Sequence, residues 1–237
     1  NATLNITDAN ATLHDGNYSV VVSNDFGSVE SGLAEFKVLN IGPLDGITGW
    51  WPLDGNSSDV SGNNHHGTIS TGPTWTNGKF NQAISFNGTN GSFRFPNEVL
   101  LNHHTEGSIS LWFNSKLEGS NSSLFTAHSP GRYYIKTRST LHVQLGDPSQ
   151  SFSAGNYNTN QWYFVTLLWS SPTSSAKLFL NGDEKSEATG YQLHNAPSNV
   201  FLGSFSGEQP SYKGLIDDVR IYNRALSAAE VQALYNL

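Results

Sequence analysis

The 237-residue sequence contains no cysteine and no methionine. Without cysteine, the chain cannot form a disulfide bond, a thiolate metal site or a cysteine nucleophile. Without an initiator methionine, we expect it to be a processed product or an excised fragment of a longer protein. No run approaches the 18 apolar residues of a membrane span, and no signal-peptide pattern remains, so we predict no membrane insertion.

Charged residues are also scarce, and most of them are acidic. They make up 13% of the chain, with 19 acidic against 12 basic residues and a net charge of −7. Nucleic acids and anionic membrane surfaces attract basic proteins, so this balance argues against both as partners. The hydrophobic fraction of 36% and the aromatic fraction of 12% are sufficient for a real core.

Turn signals and short alternating runs dominate the sequence. Glycine occurs 23 times and proline 9 times, and Asn-Gly or Asp-Gly pairs recur along the chain. Between these turns lie runs of alternating apolar and polar residues, such as Ser108–Phe113 and Thr140–Leu145. Short strands at this spacing predict an antiparallel β-sandwich or barrel.

One helix is predicted, at the end of the chain. Ser227 is suited to cap it, and Glu230 follows three residues later as the partner of a capping box. Val231, Leu234 and Tyr235 recur at helical spacing. We therefore predict a short amphipathic helix that packs on the sandwich.

A linker-like segment around Pro43 divides the chain into predicted domains at 1–41 and 42–237. In the first domain, Gly16 and Tyr18 match the tyrosine corner of immunoglobulin-like domains. The runs at 2–7, 14–22 and 34–38 resemble the last strands of that fold, although His14 replaces the usual Asp and Val20 the usual Cys. The resemblance implies part of an immunoglobulin-like spacer in a larger modular protein.

The second domain carries several motifs in a characteristic order. They are Trp50–Gly55, Gly78–Gly88, Ser108–Phe113, Asn160–Thr166, Lys177–Gly182 and Gly214–Ser227. In this order they resemble the laminin-G-like, concanavalin-A-like jelly-roll family. The resemblance implies an all-β, antiparallel jelly-roll β-sandwich. It also implies a secreted module that binds glycans or proteins, often beside a polysaccharide-degrading enzyme in bacteria.

Acidic residues near both ends of this domain suggest a calcium site. The candidate ligands are Asp54, Asn56, Asp59 and Asp217. The first and last strands of a jelly roll are neighbours, and hard oxygen ligands suit Ca²⁺. The family resemblance implies such an ion in some members, with a structural role. Alternation predicts that Asp217 points inward with Val219 and Ile221. The alternative is that Asp54 and Asp59 bind their own turns and that Asp217 pairs with Arg or Lys.

Aromatic and basic residues supply the candidate glycan site. Rings stack on the apolar faces of sugars, and polar side chains fix the orientation. We assign Trp51, Phe86, Trp112 and Trp162 to the core. The candidate ligand-binding residues are Trp75, His128, Arg132, Tyr133, Tyr134, Arg138, His142 and Tyr157. Most of them lie with Lys136 in one basic-aromatic stretch. That stretch is suited to bind an acidic glycan, and the alternative is that it forms a solvated sheet edge. Tyr191 and Tyr212 are further candidate rings.

No strand carries the paired carboxylates of a glycosidase, and no nucleophile-elbow or phosphate-loop motif occurs. We therefore predict a non-catalytic carbohydrate-binding module that is secreted or displayed at a cell surface. Its predicted partners are a polysaccharide or oligosaccharide and covalently linked neighbouring domains. The alternative is a protein-adhesion or structural spacer module of a cell-surface protein, and an autonomous hydrolase is a third hypothesis.

Overall fold

The computed structural model describes residues 16–36, 42–100, 105–118, 121–128, 132–146, 149–170, 172–191, 199–205 and 212–237. The chain forms two compact units, one ending at Gly42 and the other spanning Pro43–Asn236. In the described part of the chain, no helix is both long enough and apolar enough to cross a bilayer.

The N-terminal unit consists of two short antiparallel pairs. Its strands are β1 (Gly16–Tyr18), β2 (Val21–Asn24), β3 (Gly27–Glu30) and β4 (Ala34–Phe36). β1 pairs with β4, and β2 pairs with β3 in a hairpin. The predicted strand at 2–7 and His14 lie outside the described residues. The immunoglobulin-like resemblance of this unit stays a prediction.

The larger unit is built almost entirely from strands. They are β5 (Ile47–Trp51), β6 (Thr68–Ile69), β7 (Thr74–Asn77), β8 (Gln82–Asn87), β9 (Phe93–Arg94), β10 (Glu106–Ser115), β11 (Ser122–His128), β12 (Arg132–Thr137), β13 (Leu141–Leu145), β14 (Gln150–Gly155), β15 (Tyr163–Ser170), β16 (Ser175–Leu180), β17 (Asp183–Thr189), β18 (Asn199–Leu202) and β19 (Lys213–Tyr222). A 3-10 helix spans Asn97–Leu100, and an α-helix, α1, spans Ala228–Tyr235.

These strands form two antiparallel sheets. The first has the order β17-β16-β15-β10-β19-β8-β7, with β5 also paired to β19, and the second has the order β14-β13-β12-β11-β18-β9-β6. The first strand of the unit therefore lies beside the last, as expected for a jelly roll. The predicted all-β sandwich is confirmed.

The core lies between the sheets and is rich in aromatic rings. Strand alternation buries one side of each strand, as in β13, where Leu141, Val143 and Leu145 are fully buried. Trp51 packs edge-on against Phe95 at 4.5 Å between ring centroids. The predicted core residues Trp51 and Phe86 are buried there.

The other two tryptophans assigned to the core differ from expectation. Trp112 is buried, but it stacks on Tyr235 of α1 at 5.7 Å, on the outer side of the first sheet. Trp162 precedes β15 and is only half-buried. Trp112 is buried on the outward side of β10 because helix α1 packs over it.

Helix α1 begins with the predicted capping box. The Ser227 side chain accepts from the N–H of Glu230, and the Glu230 carboxylate accepts from the N–H of Ser227. Val231 and Leu234 are buried, so the helix covers the sandwich with its apolar side. The predicted short helix is confirmed.

Candidate functional site

Two of the predicted metal ligands hold the turn between β7 and β8. The Asp217 carboxylate accepts from the N–H groups of Lys79 and Phe80 at 2.8 and 3.0 Å. The Asp54 carboxylate accepts from the N–H of Gln82 at 2.9 Å. Both acids therefore satisfy backbone donors in one hairpin turn, from opposite ends of the larger unit.

Asp217 reaches this turn because of a β-bulge. Ile216 and Val219 both belong to the core, so strict alternation is broken between them. Asp218 has a φ of 44°, and Asp217 is in register with Trp112, whose ring lies on the outer side of the sheet. The prediction that Asp217 points inward with Val219 is therefore wrong, because the bulge adds one residue.

The two bulge carboxylates have different partners. Burial raises the pKa of Asp217 to about 7. The hydrogen bond from the N–H of Phe80 acts to lower this pKa, and the negative charge of Asp218 acts to raise it further. Asp218 forms a buried ion pair with Arg220 at 3.2 Å. The Arg220 guanidinium lies 4.2 Å from the ring centroid of Trp50, whose indole N–H donates to Asp218. The ion pair that the alternative prediction gave to Asp217 is thus made by Asp218.

Asp59 and Asn56 organise the turn after β5. Asp59 accepts from the N–H groups of Trp50, Ser61 and His65, each at 2.9 Å. Burial acts to raise the pKa of Asp59, but these donors outweigh it and lower that pKa. Asn56 accepts at 2.8 Å from the N–H two residues further on. These are the turn-stabilising roles of the alternative prediction.

The four predicted calcium ligands do not converge. In the parts of the chain that the structure describes, no group of three or more His, Asp or Glu side chains could hold a metal ion. Asp54 and Asp217 accept from the same β7–β8 turn, whereas Asp59 accepts from other segments, so the predicted ligands do not form one shared group. Calcium binding stays a prediction.

The outer side of the second sheet gathers several predicted glycan-binding residues. The cross-strand register aligns one row of side chains across β14, β13, β12, β11, β18 and β9: Ser151, Gln144, Tyr134, Thr126, Phe201 and Arg94. A second row on the same side contains Ser153, His142, Lys136 and Ser123. Side chains directly opposite on neighbouring strands share one face of a sheet. We call this surface the outer face of the second sheet.

A group of rings with a cation occupies the middle of this face. Phe205 is 42% exposed and stacks on His128, with ring centroids 5.4 Å apart and planes 11° apart. The centroid of the Tyr134 ring also lies 5.4 Å from the centroid of the Phe205 ring. The Lys136 ammonium lies 4.7 Å from the Tyr134 ring centroid and 4.8 Å from that of Phe205. These four residues form the Phe205 cluster.

The basic groups of this face are partly desolvated. Burial lowers the pKa of Lys136, and the nearby Arg138 adds to the effect. Burial also lowers the pKa of His142, again with contributions from Arg138 and Lys136. His142 is therefore neutral at pH 7, with one ring nitrogen able to donate and the other able to accept a hydrogen bond.

Four tyrosines considered as ligand contacts lie in the core. Tyr133, Tyr157, Tyr191 and Tyr212 are at most 6% exposed. Tyr133 packs edge-on against Trp169 at 5.1 Å, and burial raises its pKa. Alternation along β12 turns Tyr133 inward and Tyr134 outward, so only Tyr134 of this pair lies on the outer face.

Tyr157 and Arg138 meet at a polar cavity of about 400 Å³. Its other lining residues are Glu118, Ser139, Asn156 and Asn158. The Tyr157 hydroxyl donates to the backbone carbonyl of Arg138 at 3.0 Å, and the Arg138 guanidinium donates to Asn121 at 2.9 Å. Tyr157 therefore supports the cavity wall through its buried hydroxyl.

The remaining two candidates are less informative. Trp75 lies on strand β7, not in a loop, and packs half-buried against the core. The backbone of Arg132 pairs with His128 in the ladder, but its side chain lies outside the described residues.

Two rings and one cation of the outer face are new relative to the sequence prediction: Phe201, Phe205 and Arg94. Phe205 follows Gly203 and Ser204, a small-residue context that is typical of a loop. That context was the signal available for Phe205. Phe201 and Arg94 lie on short strands, where the sequence offers no such signal.

The family comparison matches residues 87–232 to the model for the concanavalin A-like lectin/glucanases superfamily. The chain belongs to this superfamily. The matched residues run from the end of β8 into helix α1, and they include all four residues of the Phe205 cluster. The resemblance inferred from the sequence motifs is thereby confirmed for this superfamily module.

Solved structures share the fold of the larger unit. Domain 4 of AbnA, a GH43 extracellular arabinanase from Geobacillus stearothermophilus, solved in complex with arabinotriose, is 24% identical with a TM-score of 0.67. The match covers 80% of this chain and 98% of that one.

Two toxin domains are also similar. The binding domain of Paraclostridial Mosquitocidal Protein 1 is 18% identical with a TM-score of 0.70, over 81% of this chain and 52% of that one. The binding domain of botulinum neurotoxin DC, solved with SialylT, is 15% identical with a TM-score of 0.67, over the same shares. The chain spans about half of each toxin domain, so these neighbours show a shared fold alone. No curated protein sequence matches the chain.

Proposed function

We propose that this chain is a non-catalytic sugar-binding module whose ligand lies on the outer face of the second sheet. The observation that carries the proposal is the Phe205 cluster. Its partly exposed ring is fixed by stacking on His128 and lies beside Tyr134 and the Lys136 ammonium. An aromatic platform beside a few polar groups is the arrangement that binds a pyranose or furanose ring.

Polar groups flank this platform on the side of β13. Neutral His142 can donate to or accept from a hydroxyl group, and Gln144 is held by a 2.6 Å hydrogen bond from its amide to Ser149. Held side chains lose less conformational entropy when they bind a ligand. The face is thus suited to recognise hydroxyl groups around a stacked ring.

The composition of the same face supports a non-catalytic role. The seven strands of the second sheet, within their described bounds, contain no Asp or Glu. Most glycosidases cleave with two carboxyl groups across the scissile bond. A sugar on this face would meet no such pair on the strands.

The wider context of the proposal is a modular extracellular protein. The arabinanase relative is a domain of an extracellular polysaccharide-degrading enzyme. We infer by analogy that this module is secreted and holds an attached enzyme on its glycan, with the N-terminal strands as part of an immunoglobulin-like spacer.

The proposal is tested by affinity electrophoresis of the full chain against neutral and acidic polysaccharides. We expect one polymer class to retard the wild-type chain and Phe205→Ala to bind it about tenfold more weakly, because a central aromatic anchor is lost. Phe26→Ala is the matched control, since Phe26 is a fully exposed ring in the N-terminal unit. Equal retardation of wild type and Phe205→Ala would place the sugar elsewhere.

A second candidate function is protein adhesion. It is favoured by exposed apolar side chains in the N-terminal unit, including Val22, Phe26 and Val29. This alternative predicts that a folded sample is retarded by no polysaccharide in the panel.

A further inference from the structure

Charge is divided unequally between the two sheets. The strands of the second sheet contain Arg94, Arg132 and Lys136 and, within their described bounds, no acidic residue. The acidic strand residues of the larger unit all belong to the first sheet: Glu106, Asp183, Glu184, Glu187, Asp217 and Asp218. A chain with a net charge of −7 therefore presents a basic sheet on one side.

Lys136 is the cation at the centre of that sheet. The residue is 9% exposed, and its ammonium lies over the rings of Tyr134 and Phe205. Among the described residues, no carboxylate forms an ion pair with it. The ammonium is only partly desolvated, so it remains available to an anion that approaches this face.

The rings around Lys136 do not replace a carboxylate partner. Cation–π contacts stabilise an ammonium group, but they leave its three N–H donors directed elsewhere. The adjacent His142 is neutral and lies in register with Lys136 on β13. A ligand that stacks on Phe205 would bring its own substituents within reach of this ammonium.

We propose that the outer face of the second sheet selects an acidic sugar, with a uronic-acid carboxylate paired to Lys136. This inference rests on the proposed sugar-binding function and specifies the ligand class. The sugar ring stacks on Phe205, the carboxylate accepts from the Lys136 ammonium, and hydroxyl groups face His142 and Gln144. Charge-assisted hydrogen bonds are about twice as strong as neutral ones, so the carboxylate gives preference over a neutral sugar.

The test is calorimetric titration of the full chain with matched pairs of tetrasaccharides at fixed ionic strength. Galacturonate, glucuronate and mannuronate tetramers are each compared with the neutral, carboxyl-reduced counterpart. We expect one uronate tetramer to bind at least about tenfold more tightly than its neutral counterpart. Bound uronate is also expected to protect Lys136 from acetylation, as measured by mass spectrometry.

The variants separate the charge effect from folding and from the proposed function. Lys136→Met is expected to bind both members of the pair equally, whereas Lys136→Arg retains the preference. Lys177→Met is the matched control, because Lys177 is an exposed lysine on the first sheet. Tighter binding of a neutral tetramer, or a preference that survives in Lys136→Met, would overturn the acidic-sugar inference alone. Failure of every sugar to bind would contradict the proposed function as well.

Discussion

At the residue scale, the buried hydroxyl groups of Tyr133 and Tyr157 differ in their hydrogen bonding. Tyr157 donates to the carbonyl of Arg138 at 3.0 Å. The Tyr133 hydroxyl has no hydrogen-bond partner among the described residues, although its ring packs on Trp169. An unsatisfied buried hydroxyl costs free energy, whereas a satisfied one contributes to stability.

We therefore expect opposite results from two conservative substitutions. Tyr133→Phe should leave the free energy of unfolding unchanged or increase it slightly, because it removes an unpaired polar atom. Tyr157→Phe should lower it by about 1 kcal/mol, the usual value of one hydrogen bond. Urea unfolding of both variants measures the difference. Equal losses of stability would show that Tyr133 also has a partner.

At the scale of the element, helix α1 depends on one carboxylate. Glu230 accepts from the N–H of Ser227 at 2.8 Å and from the Arg224 guanidinium at 3.0 Å. The hydrogen bond from Arg224, with help from Ser227, lowers the pKa of Glu230 from 4.5 to about 2. This ionised side chain joins the end of β19 to the first turn of α1.

The lowered pKa predicts an acid-dependent loss of stability. The ionised form is favoured in the folded state, so the stabilisation is complete above pH 4.5 and is lost as the pH falls towards 2. Because Glu230 is partly exposed, we expect about 1–2 kcal/mol. Glu230→Gln should be less stable than wild type at pH 7 by that amount and equal to it near pH 2.

Thermal melting as a function of pH checks this expectation. Glu187→Gln is the control, because Glu187 is an exposed carboxylate on β17. A stability difference between wild type and Glu230→Gln that is the same at pH 7 and pH 2 would contradict the assigned role of the charge.

At the scale of the whole molecule, the acidic strand residues of the larger unit are confined to one of its two sheets. The acidic strand residues lie on the first sheet, and the second sheet is left basic. The net charge of −7 is therefore a poor guide to the face that would meet a ligand. A local basic surface can bind an anion within an acidic protein, since exposed charges are screened over about 8 Å at physiological salt.

The predicted calcium ion would also act on the whole molecule, because its candidate ligands lie near both ends of the larger unit. A structural ion between the first and last strands requires that calcium raise the melting temperature and that a chelator lower it. Calorimetry of the wild-type chain and of Asp54→Asn measures both effects. An unchanged melting temperature in calcium and in chelator would contradict the prediction and leave Asp54 and Asp217 as supports of the β7–β8 turn.

The local sequence determined much of the fold. Period-two alternation, as in Leu141, Val143 and Leu145, predicted the strands, because burial of one sheet face requires it. The capping box of Ser227 and Glu230 predicted the helix, because both partners lie within one turn. These signals act over a few residues, and so they are readable without the tertiary structure.

The site depended on contacts that local patterns do not contain. The bulge that turns Asp217 outward adds one residue to a strand and has no period of its own. Phe205 and His128 are far apart in the chain, and they stack because β18 pairs with β11. Tertiary register therefore decided which rings and charges share a face, whereas the sequence alone determined that the chain would form a two-sheet sandwich.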